Sequence, residues 1–458
     1  MQTSGRISLK KSIFVKIVFM RRSLLSALFI MLCGLSFAQE KHQAQSAYDF
    51  LQSIGVNSAI YRRGESVEHT IECVNYIGAR WIRTDESMHT DEQVAAIKQL
   101  TDATGVKIST SLGSGGSDIE ELILGSQRMA QMGVLLAIEG NNEPNNWGIR
   151  YNGQEGGRDK SWVAVARLHR DLYQAVKQDE VLRHYPVWAT TETGAMTDNV
   201  GMQYLEVPQD ATDVVVEFRG VRFADVANCH NYFVHPTWSA PQNNQTWLAS
   251  SPTSAAKGDH LQGNYGVTWL KKYKGYSDEE LQQLPRVTTE TGATISGQMT
   301  EEMQARMYLS CYLSQFAQGW SHTAMYILRD RSDEAGNQSF GFYDKDYRPR
   351  KAAHYLHNLT TLLYDDQPAK RLSSVAYSIE NQSAEVHDLL LQKSDGDFML
   401  IIWGEYFAGG EREVTIKFNK KHDITLYSPI LGTSPTCEGK MRSVTLVITD
   451  RPIIIEVE

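Results

Sequence analysis

Glu143, in the run Glu139-Gly-Asn-Asn-Glu-Pro-Asn145, and Glu290, in Val287-Thr-Thr-Glu-Thr-Gly292, each end a short apolar β-like stretch and open a polar loop. Two carboxyl groups at strand ends are the least equipment for cutting a glycosidic bond. One must protonate the departing oxygen while the other attacks the anomeric carbon or activates water. Such a pair needs opposed ionisation states, set by burial, neighbouring charge and hydrogen bonds. The pattern predicts that both acids face one sugar.

The elements that would position them are legible. From Ile54 to about Asp366 short apolar stretches alternate with amphipathic ones, the pattern of parallel βαβ units. Strands are expected at 54–61, 80–84, 107–112, 135–138, 186–190, 226–232, 286–289 and 323–328. Between the first two, Val67, Ile71, Val74 and Ile77 recur at helical spacing, and further helices are expected at 91–104, 119–132, 162–178, 265–284 and 301–318. Eight strands with intervening helices predict an α/β fold, a (β/α)8 TIM barrel at 39–366. A doubly wound sheet would more often carry a Gly-rich phosphate turn after its first strand, and there is none. Barrel enzymes keep their chemistry at the C-terminal ends of the strands, where Glu143 and Glu290 both fall. After 366 the period changes to two, with strands expected at 389–392, 398–403, 413–418, 424–427, 444–448 and 453–457 and hairpin punctuation at Asp395-Gly-Asp397 and Gly409-Gly410. This predicts an antiparallel β-sandwich accessory domain at 367–458.

The first 38 residues belong to another class. Six cations precede an apolar run at 24–35, and Ser36-Phe37-Ala38 supplies small residues for cleavage, so 1–38 reads as a secretory signal peptide. Met20 begins a complete signal by itself, and Cys33 lacks the small preceding residue that bacterial lipid attachment prefers. Cleavage after Ala38 leaves 39 Lys and Arg against 54 Asp and Glu, a formal −15. That acidity argues against a nucleic-acid partner. No later apolar run is long enough to span a bilayer. The expected product is a monomer, secreted, periplasmic or at the cell surface. Cys73, Cys229, Cys311 and Cys437 are scattered without paired spacing, which predicts buried thiols rather than a disulfide framework or zinc site.

The run Glu139 to Asn145 resembles the fourth-strand motif of the clan A glycoside hydrolases, in which Asn-Glu-Pro ends the strand and its glutamate is the acid/base. The placement of Glu139 four residues ahead resembles family 39. Phe50-Leu-Gln-Ser-Ile-Gly-Val-Asn57, Arg80-Trp-Ile-Arg83, Gly341-Phe-Tyr-Asp344 and Arg348-Pro-Arg-Lys-Ala352 are also similar to parts of such barrels. The likeness covers about residues 50–360. It implies a retaining mechanism with Glu143 as acid/base and Glu290, at the end of strand seven, as nucleophile. Asn142 corresponds to the asparagine that binds the sugar 2-hydroxyl, and His230 and Tyr232 resemble the sixth-strand pair. Arg83 and Tyr232 are suited to hold Glu290 ionised by charge and hydrogen bonding. Proximity to Glu290 and partial desolvation would keep Glu143 protonated.

Thr190-Thr-Glu-Thr-Gly-Ala195 repeats the sequence around Glu290 almost letter for letter, so Glu192 is the rival nucleophile; the order of the His230/Tyr232 segment favours Glu290. Glu139 reads as a structural acid inside the barrel. Where the clan often presents a tryptophan under the sugar, strand eight offers Tyr326, with Arg329 and Asp330 beyond. Trp147 and Tyr151 after strand four, and Trp238 and Trp247 after strand six, are candidate sugar platforms or loop packing. His230 with His235 offers no third metal ligand, so neither metal nor organic cofactor is expected. The resulting expectation is a retaining hydrolase of β-linked polysaccharide or oligosaccharide, endo-acting because the loops at 145–161 and 234–264 are long. An exo-acting β-glycosidase and a catalytically silent glycan-binding barrel are the alternatives.

Overall fold

Strands that are apolar on both faces must find neighbours on both edges and cover on both sides. The computed structural model describes residues 40–84, 88, 90–191, 200–234, 240–256, 261, 275–333 and 338–458, and in it such strands form a ring. They are β1 Ile54–Asn57, β2 Trp81–Arg83, β3 Lys107–Gly113, β4 Leu135–Asn141, β5 Val187–Trp188, β6 Ala227–Asn228, β7 Arg286–Thr291 and β8 His322–Met325. Consecutive strands pair in parallel, and β8 returns to β1. A single parallel bridge, Trp188 to Val226, joins β5 to β6. All eight expected strands are present. The sixth is shorter than 226–232, because residues 229–232 leave the ladder.

The helices follow their local signals. Val67–Ile77 starts at Ser66, whose hydroxyl accepts from His69 N, and stops at Gly78 with φ 71°, a left-handed cap that a side chain would strain. Asp91–Thr104 opens with a capping box between Thr90 and Gln93. The helix expected at 265–284 is partly outside the described residues, which omit 262–274. Within them Ser277 caps a separate short helix, Asp278–Gln283, with Glu280 completing the box.

Alternation along the strands stacks the barrel interior in layers. Trp81, Ala137, Trp188, Val287 and Ala324 pack together as an apolar floor, with the Trp81 and Trp188 rings edge to face at 5.6 Å. Gly55 makes room for it, since a Cβ there would fall 2.1 Å from the Trp81 ring. Two residues further along β2, β4, β7 and β8 stand Arg83, Glu139, Thr289 and Tyr326, so one step of the strand period turns apolar floor into polar site.

The second sheet is antiparallel in all but one pairing. Its C-terminal strands are Ser374–Glu380, Val386–Gln392, Phe398–Gly404, Arg412–Tyr427, Cys437–Ile448 and Ile453–Val457. Two strands given no place by the sequence reading, Lys41–Gln43 and Gln45–Ser46, pair with Ser374–Glu380 and Val386–Gln392. The segment just after the expected signal peptide therefore belongs to this sheet and not to the barrel. These strands are two and three residues long, too short to show a period. Leu390, Leu400, Ile402 and Ile455 face a core of the sheet's own. The alternate residues Leu389, Leu391, Ile401 and Ile454 join the core shared with the barrel.

Glu405 fixes that junction. Fully buried, it accepts hydrogen bonds from Thr246 Oγ1, from Trp247 N at 3.0 Å and from Ser314 Oγ at 2.8 Å. Trp247, a candidate sugar platform by sequence, instead stacks on His387 at 3.9 Å. Burial pushes the Glu405 carboxyl above its ordinary value. A raised folded-state value contributes stability that is full below the unfolded value and is lost as pH rises through the folded one. Glu405→Gln removes the charge, and the two hydroxyls can turn to suit the amide. Its melting temperature relative to the parent should therefore climb as pH is raised from about 4 to 8; a difference independent of pH would contradict this account of Glu405.

Candidate active site

The polar layer is organised by one guanidinium. Arg83, buried at the end of β2, donates from Nε and Nη2 to Glu139 at 3.1 and 2.7 Å, from Nη1 to Glu290 Oε1 at 2.5 Å, and from Nη2 to Asn142 Oδ1 at 2.9 Å. A planar fork with five donors can serve two carboxylates and an amide at once, which a lysine cannot. Glu139 is fully buried and faces the barrel interior, as its strand position predicts.

Glu290 reaches the cleft because β7 breaks its register. The ladder with β8 shifts between Thr288 and Thr291, an irregularity of the kind that re-aims side chains near active sites. Tyr232 OH donates to Glu290 Oε2 at 2.8 Å. Burial first, and then the charges of Glu290 and Glu143, push the Tyr232 phenol well above its ordinary value, so it remains a donor. Glu290 thus receives a cation on one oxygen and a neutral donor on the other.

Glu143 follows β4 in a left-handed backbone conformation, φ 43°, ψ 61°, which costs a residue with a Cβ about 1–2 kcal/mol. Thr191 Oγ1 accepts from its backbone N–H at 3.2 Å, and its carbonyl accepts from Asn146 N and Trp147 N in the turn that Pro144 opens. Its side chain meets His230 Nδ1 at 2.7 Å through Oε1 and accepts from Asn146 Nδ2 at 2.7 Å through Oε2. Asn228 ends β6, and His230 and Tyr232 follow it toward the cleft, where His230 also reaches Glu290 Oε2 at 3.5 Å. Donor atoms of Glu143, His230 and Glu290 all lie within 4.8 Å of one another.

Solved structures share this architecture. A family 39 glycoside hydrolase from the gut symbiont Bacteroides cellulosilyticus WH2 is similar with a TM-score of 0.54 at 14% identity, over 90% of this chain and 82% of that one. A glucosidase from Croceicoccus marinus gives 0.53 at 11%, over 92% and 97%. CelM2, a bifunctional glucanase-xylanase from a metagenome library, gives 0.52 at 9%, over 91% and 97%. The fold is one that these glycoside hydrolases share. No family model matches the sequence, and no curated protein matches it.

In this fold the acid pair opens into a cavity of about 730 Å³. Asn142, Tyr232 and Tyr326 line it, and Trp147 stands at its edge, 61% exposed. Tyr326 stands edge to face with Phe340 at 5.5 Å; Phe340 also lines the cavity and was not anticipated. Trp238 and the rival nucleophile Glu192 lie outside the described residues. Tyr151, a candidate platform, is spent on structure, donating from a short hairpin to Asp171 at 2.8 Å. Arg329 and Asp330 are structural too: Arg329 lies over the Tyr347 ring at 4.8 Å, and Asp330 pairs with Arg350 at 2.5 Å.

Two contacts were missed by sequence reading. Asn146 carries the signal of following an Asn-Glu-Pro by two residues within one turn. Thr289 carries none, since its partners come from β4 and β6. The trio Glu143, His230 and Glu290 is also a ligand cluster that the search around His230 and His235 did not foresee. Its donor set suits a proton better than a cation: Nδ1 of His230 is engaged by Glu143, and the Arg83 guanidinium already supplies positive charge to Glu290.

Proposed function

We propose that this chain is a secreted retaining glycoside hydrolase acting on β-linked polysaccharide or oligosaccharide within the chain. The carrying observation is the pair of glutamates whose oxygens approach within 4.8 Å while their surroundings are opposed, Glu290 under Arg83 and Tyr232, Glu143 against His230 and Asn146. Inverting enzymes hold their carboxyls ~6.5–9.5 Å apart to admit a water, and retaining ones about 5–5.5 Å apart. In the first step a carboxylate oxygen of Glu290 bonds to the anomeric carbon as the glycosidic bond breaks, and Glu143 gives its proton to the departing oxygen. In the second, Glu143 takes a proton from water, whose oxygen attacks the same carbon and releases Glu290. Asn142, whose Oδ1 accepts from Arg83, is read as the partner of the sugar 2-hydroxyl.

The unit after residue 366 is read as a β-sandwich that braces the barrel, with 1–38 as the removed signal peptide. Among the described residues no helix is long and apolar enough to cross a membrane. Exposed Trp147 on a cavity edge favours several sugar subsites over a closed one-sugar pocket. The test is a screen of the mature protein on β-linked glucans, xylans, mannans and galactans, with early products sized. A spread of oligosaccharides is expected. A monosaccharide as sole early product would make the enzyme exo-acting, and no hydrolysis of any polymer or aryl glycoside would leave only a glycan-binding barrel.

A further inference from the structure

The hydroxyl of Thr289 has one hydrogen to give and two lone pairs to accept with. Its Oγ1 lies 3.0 Å from Glu139 Oε1, 3.1 Å from His230 Nε2, and 3.0 and 3.2 Å from Asn228 Nδ2 and Oδ1. Glu139 is buried and bound by two nitrogens of the Arg83 guanidinium. A carboxylate so paired only accepts. The hydrogen of Thr289 is therefore directed to Glu139, the nearer of its two oxygen acceptors, and Oγ1 offers lone pairs to Asn228 Nδ2 and His230 Nε2. Nε2 of His230 must then carry a hydrogen. A neutral imidazole protonated there has a bare lone pair at Nδ1, the atom 2.7 Å from Glu143 Oε1. With the ring neutral, the hydrogen in that short contact belongs to Glu143. Asn146 donates to the other oxygen, Oε2, which leaves Oε1 as the protonated one.

We propose that Thr289 and Glu139 are positioning residues that fix His230 in its Nε2-protonated tautomer, and that the ring thereby holds a proton on Glu143 Oε1. The charged and titratable groups around Glu143 fit this. Glu139 comes from its own strand, Arg83 from β2, His230 and Tyr232 from the β6 segment, and Glu290 from β7. The Arg83 guanidinium is directed at Glu139 and Glu290. Ionised Glu143 would face a lone pair at Nδ1 and a second carboxylate. In catalysis the glycosidic oxygen takes the place of Nδ1 as the acceptor of the Oε1 proton. The hydrogen on Nε2 stands on the hydrogen bonds alone; the bare Nδ1 and its catalytic meaning rest on the reading of Glu143 as the acid.

Side-chain ¹⁵N spectra of histidine-labelled protein, with His230→Gln to assign the signal, test the tautomer directly. The expected result near neutral pH is one protonated nitrogen, Nε2, and one bare nitrogen, Nδ1. Thr289→Val should move the ring toward protonation at Nδ1, and Thr289→Ser should restore the parent spectrum. On an active substrate, Thr289→Val should also shift the alkaline limb of kcat/KM down by about one pH unit and slow substrates with poor leaving groups most. A ring protonated at Nδ1, or at both nitrogens, in the parent protein would overturn the proposal, and needs no variant to observe. So would a Thr289→Val protein matching the parent in both spectrum and pH profile. The expected spectra together with full activity in Glu143→Gln would uphold the tautomer and remove Glu143 as the acid.

Discussion

On the proposed mechanism Glu290→Ala should lose at least about 10⁴-fold in kcat/KM on every substrate, since among the described residues no other carboxyl group is placed opposite Glu143 to form the covalent intermediate. The fold should survive, because Arg83 keeps Glu139 and Asn142 as partners. Adding azide makes the prediction specific. In Glu290→Ala a small anion can enter the space left by the carboxylate and attack the anomeric carbon from that face, giving a glycosyl azide of inverted configuration. In Glu143→Ala azide instead takes the place of water in the second step, and the product keeps the configuration of the substrate. The configuration of each azide, read by NMR, thus assigns the two roles. Azide products of the same configuration from both variants, or Glu290→Ala with near-parent activity, would remove the assignment and bring Glu192 forward.

The strand positions in the barrel were legible because each strand is a short apolar run bounded by turn residues, and because period and motif agreed at 139–145 and 287–292. Glu143, Glu290, Arg83, His230 and Tyr232 could be brought together on paper, since all sit at C-terminal strand ends and a closed barrel makes such ends converge. What lay beyond reach depended on neighbours distant in sequence. Nothing in Lys41–Gln43 announces that it pairs with Ser374–Glu380, over 300 residues away. Trp247 looks like a sugar platform until Glu405 and His387 of the second sheet are seen to claim its loop. Thr289 was read only as part of the motif around Glu290, although its hydroxyl bridges Glu139 of β4 and His230 of the β6 segment.

Arg83→Met should be the most destabilising single change in the site. It strips the cation from two buried or nearly buried carboxylates at once, and breaking a buried pair by removing one partner costs about 3–5 kcal/mol. The expected readout is a large fall in denaturant midpoint with little change in slope, together with loss of activity. Adding Glu139→Gln separates the two roles of the arginine. An amide at position 139 needs no cation and still accepts from Thr289, so the double variant should recover much of the lost stability, a coupling of the size seen between contacting charged groups. Activity should not return, because Glu290 still lacks the guanidinium at its Oε1. Recovery of both would mean that Arg83 serves the barrel alone. A fall of less than about 1 kcal/mol in the single variant would mean that Glu139 finds other partners or rests protonated. Recovery of stability without activity would mark Arg83 as serving the cleft through Glu290 and Asn142 as well as the barrel interior through Glu139.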